Sequence, residues 1–124
     1  LARNNKREFE EQVALMEWFA IQYPREIVIV SANGGSRHFL EAANLKRSGV
    51  RRGVPDLFMP VVNDDYAGLF IELKPTIVAG KSNGRVTDEQ FEVLSHLDSR
   101  GYKAQVCWGF EDASSTIKQY MLKR

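Results

Sequence analysis

Two short runs, Asp56-Leu57-Phe58-Met59-Pro60 and Leu69-Phe70-Ile71-Glu72-Leu73-Lys74-Pro75, decide the architecture, with Asn63-Asp64-Asp65-Tyr66 in the loop between them. Asp56 to Met59 and Leu69 to Lys74 read as strands, and a proline stops each because it cannot donate to a ladder. The Asn/Asp-rich connection suits an antiparallel hairpin. Side chains two apart on a strand share a face, so Glu72 and Lys74 project together while Ile71 and Leu73 point to the other side. That is an odd pattern for a buried strand.

Working outward, Phe9, Val13, Met16 and Ala20 recur at helical spacing, which predicts a first helix over Lys6 to Gln22 packed through that stripe and ended by Pro24. Ile27-Val28-Ile29-Val30 reads as a short buried strand and Asn33-Gly34-Gly35 as its turn. A second helical stretch runs from Phe39 to Arg47 and closes at Gly49. After the hairpin, the Gly-rich, charged segment Ala79 to Arg85 reads as a mobile loop. Thr87-Asp88-Glu89-Gln90 has the form of a capping box opening a helix that should reach Arg100, with Gly101 as its C-terminal cap. Lys103 to Trp108 gives a fourth strand and Asp112 to Leu122 a closing amphipathic helix. The order is αβ(α)ββαβα, an α/β class with a mixed central sheet flanked by helices.

The 124 residues, 44% of them hydrophobic, suit a single domain over 1–124. Formal net charge is only +1, so bulk charge names no partner. Its distribution is more informative. Arg37, Lys46, Arg47, Arg51 and Arg52 face one acid, Glu41, a local basic stripe of the kind that tracks a phosphate backbone. A solvated charged face is the competing reading. Cys107 is the only cysteine, which excludes an intrachain disulfide, fits a reducing compartment and reads as a buried strand thiol. With no membrane-length apolar run and no signal-peptide core at the amino end, a soluble cytoplasmic protein is expected. Asn33-Gly34-Gly35 lacks the phosphate-loop Lys-Ser/Thr, so no nucleotide cofactor is expected.

An antiparallel neighbour carrying Asp56 would set a second carboxylate beside Glu72, and two close carboxylates repel unless a proton or a cation bridges them. Oxygen-rich sites suit Mg²⁺ or Mn²⁺, and the Leu73 carbonyl is a further candidate ligand. Phosphodiester hydrolysis demands accelerations near the top of the enzymatic range of ~10⁶ to 10¹⁷. A divalent ion supplies much of this by acidifying water and neutralising developing charge, while a cation such as Lys74 orients the nucleophile. Asp56 and Glu72 are thus candidate ligands and Lys74 the candidate positioning cation. A solvent-facing ion pair between Glu72 and Lys74 is the alternative.

Gly53-Val54-Pro55-Asp56, fifteen intervening residues, then Glu72-Leu73-Lys74 resembles the PD-(D/E)xK nuclease superfamily. The surroundings resemble one branch, the VRR-NUC domains: Asn33-Gly34-Gly35, the approach from Lys46 to Gly53, Gly84 to Gln90, and Gly101 to Val106, in family order across nearly the whole chain. The resemblance implies a restriction-endonuclease-like fold and metal-dependent nuclease activity. It also implies an acid on the first helix, which Glu8 matches best with Glu10 and Glu11 as competitors, and a glutamine by the active site, Gln90, which can close the capping box as well. On the helix projection Glu11 falls opposite the apolar stripe and is expected to be solvated. Lys46, Arg47, Arg51 and Arg52, leading into Asp56, are candidate DNA contacts, followed by Lys81 and Arg85. His38 and His96 lack ligand-like spacing and are read as structural. Stand-alone members of the group resemble Holliday-junction resolvases, so the expected partner is branched DNA and the expected form a homodimer. The alternatives are a flap or nicking nuclease and a DNA-binding module without catalysis.

Overall fold

A computed structural model describes residues 2–31, 39–81 and 83–124. The turn expected at Asn33-Gly34-Gly35, with Arg37 and His38, lies outside the described residues. The chain runs α1 (Ala2–Gln22), β1 (Ile29–Val30), α2 (Phe39–Arg47), β2 (Leu57–Met59), β3 (Leu69–Lys74), α3 (Asp88–Ser99), β4 (Lys103–Trp108) and α4 (Phe110–Leu122). The strands form one sheet in the order β1-β2-β3-β4. β2 runs antiparallel to its neighbours β1 and β3, and β4 lies parallel to β3. This is the expected α/β class with a mixed sheet.

The hairpin register places Leu57 opposite Ile71 and Met59 opposite Leu69, so their side chains share one face. That face is the core. Leu57, Met59, Leu69, Ile71, Leu73 and Cys107 are buried there against Leu15 and Phe19 of α1 and Ile117, Tyr120 and Met121 of α4. Gln105 Nε2 donates to Thr116 Oγ1 of α4 at 3.1 Å, while the alternate positions Ala104 and Val106 line a groove with Phe91 and Leu94 of α3. Hence α1 and α4 cover one face of the sheet and α3, the crossover between the parallel strands, covers the other. Asn63 shapes the hairpin loop by accepting the amides of Asp65 and Tyr66 on its side-chain oxygen, at 2.9 and 2.8 Å.

Local rules account for the helix ends. Thr87 caps α3, its hydroxyl accepting from Gln90 N while Gln90 Oε1 accepts from Thr87 N. At the other end Gly101 takes φ +95°, and Gly101 N and Tyr102 N donate to the carbonyls of Asp98 and Leu97, a Schellman closure. Cys107 is the buried strand thiol expected, and burial pushes its pKa up to about 11. Among the described residues, no helix is long and apolar enough to cross a membrane.

Two expectations fail on packing. The α1 stripe is out of phase: Phe9 is 67% exposed, Val13 41%, and Ala20 lies outside, while Leu15 and Phe19 enter the core and Met16 packs at its margin. The buried flank continues toward the N-terminus through part-buried Gln12, Glu11 and Glu8, so polar groups occupy positions where the helix passes the sheet end. Apolar periodicity alone chose the wrong flank. β1 is also shorter than Ile27 to Val30 and exposed at the sheet edge, with Ile29 at 50% and Val30 at 46%, because only β2 pairs with it. α4 begins two residues earlier than Asp112, at Phe110, behind Gly109 as its cap.

The phase of α1 is testable. Leu15→Ala should cost about 2 to 5 kcal/mol, and Val13→Ala less than about 1 kcal/mol, both read from urea unfolding midpoints. Equal losses at the two positions would contradict the packing described.

Candidate functional site

β3 carries Glu72 and Lys74 on the face away from the α1/α4 core, yet both are buried, at 3% and 8% exposure. The solvent-facing ion pair is therefore excluded. Lys74 Nζ stands 3.7 Å from Glu72 Oε2 in a sheltered site. Asp56 lies just before β2, where its Oδ2 accepts the Leu73 amide N–H at 2.7 Å. Ser31 N bonds the Asp56 carbonyl at 2.8 Å and Ser31 Oγ the Pro55 carbonyl at 3.1 Å, so the edge of the sheet holds this turn from behind.

Gln90, in the first turn of α3, ties the pieces together. Its Oε1 accepts from Lys74 Nζ at 3.0 Å and its Nε2 donates to Glu72 Oε2 at 3.2 Å. The same Oε1 closes the capping box, so the site contact and the cap are one arrangement. An amide suits this place, since it gives Lys74 an acceptor and Glu72 a donor without adding charge. Gly53 sits against the same turn at φ +84°, where a Cβ would come within 2.6 Å of the Glu89 carbonyl. Only glycine lets the approach to Asp56 pass so close.

The electrostatics are those of carboxylates crowded out of water. Glu72 has its pKa raised to about 9, first by burial, then by the charge of Asp56 and a hydrogen bond shared with it, with Lys74 opposing. Burial also raises Asp56, against the Leu73 amide, the Glu72 hydrogen bond and Lys74. Glu8 is raised by burial and then by Asp56, with Lys74 opposing, which places this α1 acid within electrostatic reach of the pair. Among the described residues no three His, Cys, Asp or Glu side chains are grouped so as to hold a metal ion by themselves. The core of the site is a pair of crowded carboxylates, Asp56 and Glu72, with Glu8 within electrostatic reach. An all-oxygen donor set whose repulsion a cation relieves fits a hard divalent ion such as Mg²⁺ or Mn²⁺.

The structure thus brings Asp56, Glu72, Lys74 and Gln90 together, with Glu8 within electrostatic reach of them. Leu73 joins through its amide N–H. The basic candidates Lys46 and Arg47 at the end of α2, Arg51 and Arg52 before Gly53, and Lys81 and Arg85 after β3 are all exposed at the periphery. Arg51 pairs with Glu92 of α3 at 2.9 Å, which docks the basic approach beside Gln90. His96 lies exposed near the end of α3.

Glu11 corrects the expectation of a solvated acid. Its carboxylate accepts the Thr76 amide at 2.8 Å, the Phe110 amide at 3.0 Å and the Thr76 hydroxyl. Burial raises its pKa, but the hydrogen bonds from Thr76 and Phe110 with the Arg7 charge outweigh this and leave it lowered. Arg7, one turn earlier, donates to the Thr76 carbonyl and to Asn83 Oδ1. Asn83 in turn accepts from Val78 N at 2.9 Å. The Arg7/Glu11 pairing at helical spacing was the available signal, hidden by the misplaced stripe.

Residues 4–111 match the VRR-NUC domain. The chain belongs to the VRR-NUC family. A solved structure described as a VRR_NUC domain protein is similar at 31% identity and a TM-score of 0.75, covering 94% of this chain and 89% of its own. No curated protein matches the chain. The VRR-NUC domain is of nuclease type, and in this member the Asp56, Glu72 and Lys74 motif lies at the ends of β2 and β3.

Protonated Glu72 stabilises the metal-free VRR-NUC fold relative to an unfolded chain in which its pKa is 4.5. That contribution is complete below the unfolded pKa and is lost as pH rises through about 9. Thermal unfolding without metal should therefore move to lower temperature from about pH 6 to about pH 9. Glu72→Gln should flatten this dependence, and a parent-like slope in that variant would contradict the assignment.

Proposed function

We propose that this VRR-NUC protein is a divalent-metal-dependent DNA endonuclease acting on branched DNA, foremost a four-way junction, as a homodimer. The observation that carries the reading is the part-buried Asp56 with buried Glu72, beside a Lys74 held in place by Gln90. Asp56 and Glu72, with Glu8 and the Leu73 carbonyl, would hold Mg²⁺ or Mn²⁺. When bound, such an ion acidifies water and offsets charge on the phosphoryl oxygens.

The remaining work falls to the protein. Hydrolysis forms a bond from water oxygen to phosphorus, breaks one phosphorus–oxygen ester bond, and leaves a phosphate end and a hydroxyl end. Lys74 Nζ, fixed by Gln90 Oε1, orients the attacking water and stabilises negative charge gathering on the phosphate. Gln90 does this without adding charge, so Lys74 Nζ stays aimed beside the two carboxylates. Lys46, Arg47, Arg51, Arg52, Lys81 and Arg85 grip the backbone on either side and position it without reading sequence.

Branched DNA and a dimer form one proposal. A two-fold pair sets two sites on like strands of a junction, which a single small domain cannot do. Phe9 and Val13 of α1 and Ile29 and Val30 of β1 are exposed apolar surface of the kind a second copy covers.

Asp56→Ala should reduce cleavage more than about a hundredfold while DNA binding persists, since a ligand is lost and the basic surface remains. Cleavage by wild type and variant is compared on a four-way junction, a flap and linear duplex with Mg²⁺ or Mn²⁺. Undiminished cutting by Asp56→Ala would overturn the mechanism. Equal cutting of all three substrates, or a monomer at working concentration, would sink the junction reading and favour a general nicking or flap enzyme. Binding without cleavage in wild type would indicate a DNA-binding module.

A further inference from the structure

We propose that Arg7, Glu11 and Thr76 form a positioning clamp that sets Glu8 against the Asp56/Glu72 pair. The inference rests on the metal-site reading above and deepens it. Thr76 lies two residues beyond Lys74, and α1 takes all three of its polar groups: Arg7 accepts no part of it but donates to its carbonyl, while Glu11 accepts its amide N–H and its hydroxyl. Glu11 also accepts the amide of Phe110, the first residue of α4. Gly109, the cap of that helix, has no side chain to offer, so Glu11 satisfies an end that is otherwise unprovided.

The geometry leaves no slack. A Cβ on Gly109 would come 2.1 Å from Thr76 Oγ1 and 2.8 Å from Glu11 Oε1. Gly109 N also donates to the Lys74 carbonyl at 2.7 Å, tying the clamp to the strand that bears Glu72 and Lys74. Arg7 and Glu11 are one helical turn apart, and Glu8 lies between them on the same rigid element. Fixing both to Thr76 therefore fixes the position from which Glu8 acts on Asp56 and Lys74, the groups it meets electrostatically. The clamp touches neither of the two paired carboxylates. From α1 it acts on them through Glu8.

The test is Mn²⁺ affinity of the full chain by calorimetry, with thermal unfolding as a separate readout. Thr76→Val removes the hydroxyl and keeps the amide; Glu11→Gln keeps the size and weakens acceptance; Thr76→Ser restores the hydroxyl. Thr76→Val and Glu11→Gln should weaken Mn²⁺ binding about tenfold or more, Thr76→Ser should not, and Glu8→Gln should lose as much as either. Combining Glu8→Gln with Thr76→Val should add little, since both remove the same contribution. The clamp is overturned if Thr76→Val and Glu11→Gln lower the unfolding temperature yet leave Mn²⁺ affinity intact, or if their losses add fully to that of Glu8→Gln. Wild type that binds no Mn²⁺, or binds it equally after Asp56→Ala, instead sinks the metal-site reading and the clamp with it. Should Thr76→Val fail to fold, the milder Glu11→Gln decides alone.

Discussion

Two carboxylates held together away from water repel each other, and much of this molecule is arranged around that repulsion. Asp56 is met by the Leu73 amide, and Glu72 by Gln90 and Lys74. Even so, burial and mutual charge keep Glu72 protonated well above the ordinary carboxylate range. A stable core would not tolerate the pair without cause, since replacing such groups by apolar ones is often neutral or stabilising. Under the proposed metal-dependent function, the pair is a cost borne for binding a cation.

The frame explains how so small a domain holds the arrangement. The antiparallel hairpin brings Asp56 beside β3 by register, and the parallel crossover returns α3 so that its first turn delivers Gln90. Gly53 lets the basic approach lie against that same turn, and the Arg51–Glu92 pair draws it in. That exposed pair contributes at most about 1 kcal/mol, so its role is placement more than stability. On the other side α1 is joined to the end of β3 through Thr76. The side chains of the site thus come from α1, the turn before β2, β3 and α3, and each of these is anchored close to the residue it supplies.

The architecture was readable because strand punctuation and a capping box are local signals, whereas the Asp56, Glu72, Lys74 trio stood out through its resemblance to the PD-(D/E)xK pattern more than through the Glu-x-Lys alternation itself. β3 and β4 fall where their apolar runs and flanking Pro and Gly place them. The phase of α1 was not readable. Phe9, Val13, Met16 and Ala20 recur as regularly as Glu8, Gln12, Leu15 and Phe19, and periodicity cannot say which flank meets the sheet when the buried one is partly polar. Glu11 was lost with it, since its partners stand 65 and 99 residues away. For β1, an apolar run suggested burial, but a strand with one neighbour keeps its outer edge in water.

If Asp56 and Glu72 share a proton that a cation displaces, binding must release it. The direct measurement is calorimetry of Mn²⁺ binding to the whole chain near pH ~7, repeated in buffers of different ionisation enthalpy, which counts the protons released. The expected result is about one proton released per ion bound, and none in Glu72→Gln. Binding without proton release, or release that persists in Glu72→Gln, would contradict a proton-bridged carboxylate pair as the heart of the site.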